Sequence, residues 1–164
     1  LYFRRDFDKL DRSAEEISSI THAHRECVLA CQMASRLTAL LADGFSKDDS
    51  LELLYQRFRT DSIAEDKLNR ATRGEVYPGK IGYVFNTFGI ALNSFLRAET
   101  FEDTVIWAIH FGGDTDTQAT VAGAFAGAFW GIEQIPKKWK QKLNPVSGEE
   151  IEQKAEKLYK LSMV

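Results

Sequence analysis

Gly112-Gly113-Asp114-Thr115-Asp116-Thr117-Gln118-Ala119-Thr120-Val121-Ala122-Gly123-Ala124-Phe125-Ala126-Gly127-Ala128-Phe129-Trp130-Gly131 is the stretch that decides the reading of this chain. An acidic, glycine-led loop opens a helix whose body is almost free of polar side chains. Ala119, Gly123, Gly127 and Gly131 recur every four residues, so one helix face is smooth and suited to close packing. Asp114, Asp116 and Thr117 gather hard oxygens at the helix mouth. Such donors suit Mg²⁺, Ca²⁺ or Mn²⁺ rather than zinc. The plain alternative is helix capping, which Asp favours at the positive end of the dipole. Capping accounts for one Asp; two of them, with Thr117 and a preceding Gly-Gly, ask for more. An EF-hand loop is excluded, because its glycine at position 6 and glutamate at position 12 are absent. A metal site and a helix cap both remain open on these residues alone.

Working outward, the pattern is helical nearly throughout. Ser13-Ala14-Glu15-Glu16, Ser46-Lys47-Asp48-Asp49, Thr100-Phe101-Glu102-Asp103 and Ser147-Gly148-Glu149-Glu150 each place a hydroxyl three residues before a carboxylate, the signature of a capping box. Thr21 is expected to cap a helix running to about Asp43 and stopped by Gly44. Its stripe of Cys27, Cys31, Ala34, Leu37 and Leu41 has helical spacing. Further helices are expected at about Lys47–Arg59, Ser62–Arg70, Val84–Arg97, Phe101–His110, Thr117–Gly131, Pro136–Leu143 and Glu149–Leu161. No segment sustains a period of two, so no strand is expected. Ala71 to Gly82 is the one long irregular piece, and a loop of that length in a helical domain is often functional. The reading is one compact all-α domain, a multi-helix orthogonal bundle over residues 1–164.

The chain has 164 residues, 44% hydrophobic and 27% charged, with a net charge of −3. That is a globular composition, with no basic stripe for nucleic acid and no apolar run long enough to cross a bilayer. Lys137-Lys138-Trp139-Lys140-Gln141-Lys142 reads as a solvated helix face. Cys27 and Cys31 lie four apart on one helix face, where a disulfide would be strained and no second pair exists for zinc. Free thiols in a reducing cytoplasm are the expectation. The chain opens on Leu1-Tyr2-Phe3 without an initiator Met, which suggests an upstream segment.

Other candidate residues lie apart in sequence. Thr21-His22-Ala23-His24 falls where one helix yields to the next; free backbone N–H groups there suit phosphate, and a histidine adds a donor. The plain reading is a pair of surface or capping histidines. Gly82-Tyr83-Val84 closes the long loop and opens a helix, where an aromatic side chain either stacks on a base or ribose or acts as a hydrophobic staple. His110 ends a helix at its negative pole. Trp107, Trp130 and Trp139 read as core or partly buried packing.

At these residues the sequence resembles the ADP-ribosylglycohydrolase family, which includes the dinitrogenase-reductase-activating glycohydrolase. Gly112 to Gly131 matches that family's distal metal motif and the helix after it. Thr21-His22-Ala23-His24, Gly82-Tyr83-Val84, Phe101-Glu102-Asp103 and Gly131-Ile132-Glu133-Gln134-Ile135-Pro136 match in the same order, and the likeness runs from about Ile17 to Leu143. The resemblance implies an all-α hydrolase that binds two Mg²⁺ ions in a cleft and cleaves the glycosidic bond between ADP-ribose and an acceptor. It implies that Asp114, Asp116 and Thr117 are metal ligands. It places His22 near the pyrophosphate and Tyr83, Gly113 and Thr115 at the substrate.

The family's other metal half, a Thr-Asp-Asp phrase with a nearby catalytic glutamate, has no counterpart here, nor has its glycine-rich substrate loop. Thr60-Asp61-Ser62 lacks the second Asp and is wrongly placed. The chain therefore reads as the C-terminal portion of such an enzyme, with its catalytic residues unassigned. Its expected partners are ADP-ribose or an ADP-ribosylated substrate, and an N-terminal portion or a second copy to complete the site. A non-catalytic relative that binds ADP-ribose or serves structurally is the competing reading.

Overall fold

The computed structural model describes residues 2–143 and 145–162, the side chains of residues 145–147 excepted. Nine α-helices and one short 3-10 turn make up the described residues, with no strand among them. They are α1 (Phe7–Ser19), α2 (Arg25–Ala42), α3 (Lys47–Phe58), α4 (Ser62–Arg73), α5 (Val84–Arg97), α6 (Phe101–His110), α7 (Thr115–Trp130), α8 (Lys137–Lys140) and α9 (Pro145–Leu161). The turn spans Ile132–Gln134.

α5 is the centre, packed against α2, α4, α6 and α7. Its run from Phe88 to Phe95 is buried without interruption, as expected for a helix apolar on every side. Met33, Leu37 and Leu41 of α2, Leu54 and Phe58 of α3, Leu68 of α4 and Phe125 of α7 complete the core. Edge-to-face rings run through it: Phe85 to Phe88, Phe88 to Phe125, Phe125 to Phe95, and Phe95 to Trp130, with centroids 5.5 to 6.3 Å apart. This geometry sets ring edges against ring faces. Lys47 closes the far end of α5, its Nζ donating to the carbonyls of Phe95 and Ala98 at 2.7 and 2.6 Å. A cation there complements the negative end of the helix.

Charge fastens α1 to this body. Asp11 takes a two-pronged hydrogen bond from Arg36 of α2, at 2.6 and 2.7 Å, and a third from Arg57 of α3 at 3.0 Å. A bidentate pair of this kind fixes direction as well as distance.

Three expected caps, Ser13, Thr21 and Ser147, do not open their helices. Ser13 lies inside α1, which starts at Phe7 because Asp6 accepts from the Lys9 N–H. Thr21 sits in a turn, and His24 caps α2, its ring nitrogen accepting from the Glu26 N–H at 3.3 Å. Ser46 and Thr100 cap α3 and α6 as expected, and Gly44 follows α2 in the left-handed region. Ser147 is the third residue of α9, so it cannot open that helix, and its side chain lies outside the described residues.

Boundaries shift as well. α4 runs three residues beyond Arg70, to Arg73, and Gly74 ends it in the left-handed conformation, shortening the long loop to 74–83. α7 begins at Thr115, and α8 is a single turn. Trp107 is 47% exposed on α6 rather than packed. The smooth face of α7 meets α6, yet an added Cβ at Gly123 or Gly127 would touch Val105 or Phe101 only at 3.9 Å. Ordinary van der Waals room therefore remains on that face.

Candidate functional site

Gly112 and Gly113 have φ of 74° and 77°, a pair of left-handed residues that L side chains rarely match. They turn the chain from the end of α6 into α7 and set Asp114 at the N-cap. Asp114 makes no side-chain capping bond, so its carboxylate is not spent on the helix backbone. The Thr117 hydroxyl donates to Asp114 Oδ1 at 2.8 Å. Asp116, the second residue of α7, is held below the ordinary carboxylate range by a hydrogen bond with the Asp114 carboxyl, and then by the backbone N–H groups of Asp116 and Thr117. Two carboxyls and a hydroxyl thus share one small space.

That space opens on a cleft of about 860 Å³ between α1, α2, α5 and α7. His22, Glu26, Tyr83, Asp114 and Thr117 all line it. The volume is in the usual range for a small-molecule site. The His22 backbone N–H donates to Ser18 O at 2.7 Å, and the Ser18 hydroxyl donates back to His22 O at 3.0 Å, so the turn before α2 is tied at both ends. The exposed His22 ring keeps Nδ1 2.9 Å from the Thr21 hydroxyl.

A second hollow of about 230 Å³ lies beside the first, under the loop 76–82. The two share Gly82, Thr87 and Asp114. Gly113 faces the smaller hollow, while Thr115 and Asp116 are outside the linings of both. His22, Tyr83, Asp114 and Thr117, scattered in sequence, are therefore brought to one cleft. Gly113 faces its neighbour, and Thr115 starts the helix behind them.

Sequence reasoning missed the group that holds Tyr83. Lys67 reaches from α4 to the Tyr77 hydroxyl at 3.0 Å and to Glu26 at 3.1 Å. Its ammonium also lies 4.5 Å from the centroid of the Tyr77 ring and 5.6 Å from that of Tyr83. Burial alone would push Lys67 down. Hydrogen bonds with Tyr77, Tyr83 and Glu26 outweigh it and raise the ammonium above its ordinary value. Burial raises Tyr83. Glu26 would also rise on burial, but bonds from Tyr83 and Lys67 hold it low. The alternation of His22, His24 and Glu26 at the start of α2 was a legible signal for Glu26. Lys67 gave none, since in sequence it is one more charged residue on an amphipathic helix.

The oxygen donors at Asp114, Asp116 and Thr117 have the chemistry for a hard divalent cation. Among the described residues no cluster of three or more His, Cys, Asp or Glu side chains forms a complete cage. No helix among them is long and apolar enough to cross a membrane.

A family model described as ADP-ribosylglycohydrolase matches residues 1–164. This chain belongs to the ADP-ribosylglycohydrolase family. It is 27% identical over 161 residues to the ADP-ribosylarginine hydrolase Tri1 of Serratia proteamaculans, covering 97% of this chain and 43% of that protein. It is 28% identical over 148 residues to the ADP-ribosyl-[dinitrogen reductase] glycohydrolase of Rhodospirillum rubrum, covering 87% of this chain and 46% of that one. A solved structure titled ADP-ribosylglycohydrolase-related protein complex superposes with a TM-score of 0.77 at 32% identity, over 95% of this chain and 53% of the other. The chain thus spans about half the length of these relatives.

Proposed function

We propose that this chain carries half the active site of an Mg²⁺-dependent hydrolase that cleaves the glycosidic bond between ADP-ribose and an acceptor. The supporting observation is the convergence of His22, Tyr83, Asp114 and Thr117 on one cleft. Family membership supports the hydrolase chemistry.

In this reading the ADP-ribose lies along the large cleft. His22 donates to the pyrophosphate from the turn before α2, where free backbone N–H groups add to the attraction. Tyr83, held by Lys67 and Glu26, packs against the sugar. Asp114, Asp116 and Thr117 would hold Mg²⁺, which when bound orients the ribose hydroxyls and a water and stabilises charge developing at the anomeric carbon. Thr117 keeps the Asp114 carboxylate turned into the cleft. The remaining metal ligands and the acid–base carboxylate come from an N-terminal portion or a second copy. The free thiols of Cys27 and Cys31 suit a reducing cytoplasm.

The test is Mg²⁺-dependent release of ADP-ribose by the full-length protein. Unchanged release after Asp114→Ala with Asp116→Ala would sink the assignment. The two-carboxylate set favours one competing reading, a non-catalytic relative that only binds ADP-ribose. Calorimetry of this chain with ADP-ribose and Mg²⁺ separates them: binding without turnover in the full-length protein supports the second.

A further inference from the structure

The loop between α4 and α5 ends in two tight turns in succession. The Lys80 N–H donates to Tyr77 O at 3.3 Å, and the Tyr83 N–H donates to Lys80 O at 3.2 Å. Gly79 and Gly82 take the third place in each turn, with φ of 72° and 76°. A glycine there is what a type II turn asks for, and Pro78 suits the second place of the first turn.

One side chain staples both turns. Asn86, the third residue of α5, accepts from the Tyr77 N–H through Oδ1 at 2.7 Å. Its Nδ2 donates to Tyr77 O at 3.1 Å and to Lys80 O at 3.0 Å. Those two carbonyls are the acceptors that close the turns. A carboxamide both gives and takes at this spacing, whereas a carboxylate has no hydrogen to give. Asn86 lines the smaller hollow. Both of its N–H hydrogens are nevertheless spent on the loop, so it holds the wall of the site and not a ligand.

That wall carries Tyr83. Its backbone N–H is fixed by Lys80 O, and its ring meets the Tyr77 ring edge to face, with centroids 4.9 Å apart. Lys67 grips Tyr77 at the hydroxyl, and Asn86 grips it at the backbone. We propose that Asn86 is a positioning residue for ADP-ribose, one that keeps the double turn 77–83 preformed so that Tyr83 meets the sugar without an ordering step. The proposal rests on the function proposed above. Ordering a free loop on binding costs conformational entropy, which a stapled loop has already lost on folding. A loop that is competent only part of the time lowers the affinity by that fraction.

The test uses the full-length protein with Mg²⁺. Asn86→Asp keeps the shape and the acceptor for the Tyr77 N–H, loses both donors and sets a negative charge against two carbonyls. A carboxylate in the first turn of α5 suits the helix dipole, so the melting temperature should stay near that of wild type. The Kd for ADP-ribose, by calorimetry, should rise about tenfold. Hydrogen exchange at the Tyr77 and Tyr83 amides should quicken. On whichever ADP-ribosylated peptide wild type cleaves, KM should rise by the same factor while kcat stays within about twofold. A folded Asn86→Asp with wild-type Kd and KM overturns the proposal, and so does a fall in kcat at unchanged KM. Should Asn86→Asp fail to fold, Gly79→Ala loosens the same loop. Its φ of 72° penalises alanine, nothing lies within 4 Å of the added methyl, and Gly79 is outside the lining of the large cleft. A raised Kd in Gly79→Ala supports the role, and an unchanged one overturns it. A wild type that neither binds nor releases ADP-ribose defeats the function proposed above, and this role with it. That outcome is separable, because it appears before any variant is made.

Discussion

Lys67 on α4 holds Glu26 on α2 at 3.1 Å and the Tyr77 hydroxyl of the loop at 3.0 Å. One ammonium therefore ties two helices and the loop 74–83 together at the wall of the cleft. Lys67→Met keeps most of the side-chain bulk but leaves Glu26 and two tyrosines without their cation. The expected loss is about 1–3 kcal/mol in urea denaturation, with faster proteolysis of the loop. Unaltered stability and unaltered cleavage would refute the tie.

The same pair sets a pH dependence. Glu26 is held below its ordinary value in the fold, so its contribution is present above the unfolded carboxylate range and is lost as pH falls through the folded value. Lys67 is raised, so its contribution is complete below the ordinary lysine range and lost only under strong alkali. Wild type and Glu26→Gln should thus differ in stability at neutral pH, with the gap narrowing once pH falls below the ordinary glutamate value of about 4.3 and closing below the depressed folded value. Denaturant titrations at neutral and acid pH decide it, and a constant gap counts against the linkage.

Asp114→Asn and Asp116→Asn should leave the fold nearly intact. Asp114 makes no side-chain capping bond to α7, and Asp116 is exposed. A stability change within about 1 kcal/mol is expected. Mg²⁺ affinity of the full-length protein should fall by about 10- to 100-fold. Tight Mg²⁺ binding by both variants would remove the metal role.

Phe125 is 1% exposed and meets both Phe88 and Phe95. Phe125→Ala should cost about 3–5 kcal/mol through lost burial and the cavity left behind. Because Phe125 and Asp114 share α7, activity should fall in parallel with the folded fraction. Thermal unfolding alongside the ADP-ribose assay checks both.

Gly127 lies in the last turn of α7, with room for a methyl group. Gly127→Ala should stabilise the protein by about 0.5–1 kcal/mol, since alanine loses less backbone freedom on folding. A lower melting temperature would show that α6 and α7 need the closer approach.

The helices were legible because their stripes and caps are local. Ser46, Thr100 and Gly44 did what their neighbours implied. Ser13 misled because Asp6 offered an equally good cap seven residues earlier, and α1 is held by Arg36 and Arg57, which no local pattern reveals. His22, Tyr83, Asp114 and Thr117 could be named from motifs. Their meeting in one cleft and the Lys67 tie could not, because both arise from packing between residues far apart in the chain.

The left-handed pair Gly112 and Gly113 carries a different kind of consequence. Nothing lies within 4 Å of a Cβ built on Gly112, and the nearest atom to one on Gly113 is Gln118 Nε2 at 3.7 Å. Space would admit alanine at both positions, while φ penalises it. In a saturation scan these two positions would stand out as intolerant amid empty surroundings. Crowding-based predictors of mutational damage would score them as harmless, and the error would fall on the two residues that aim Asp114.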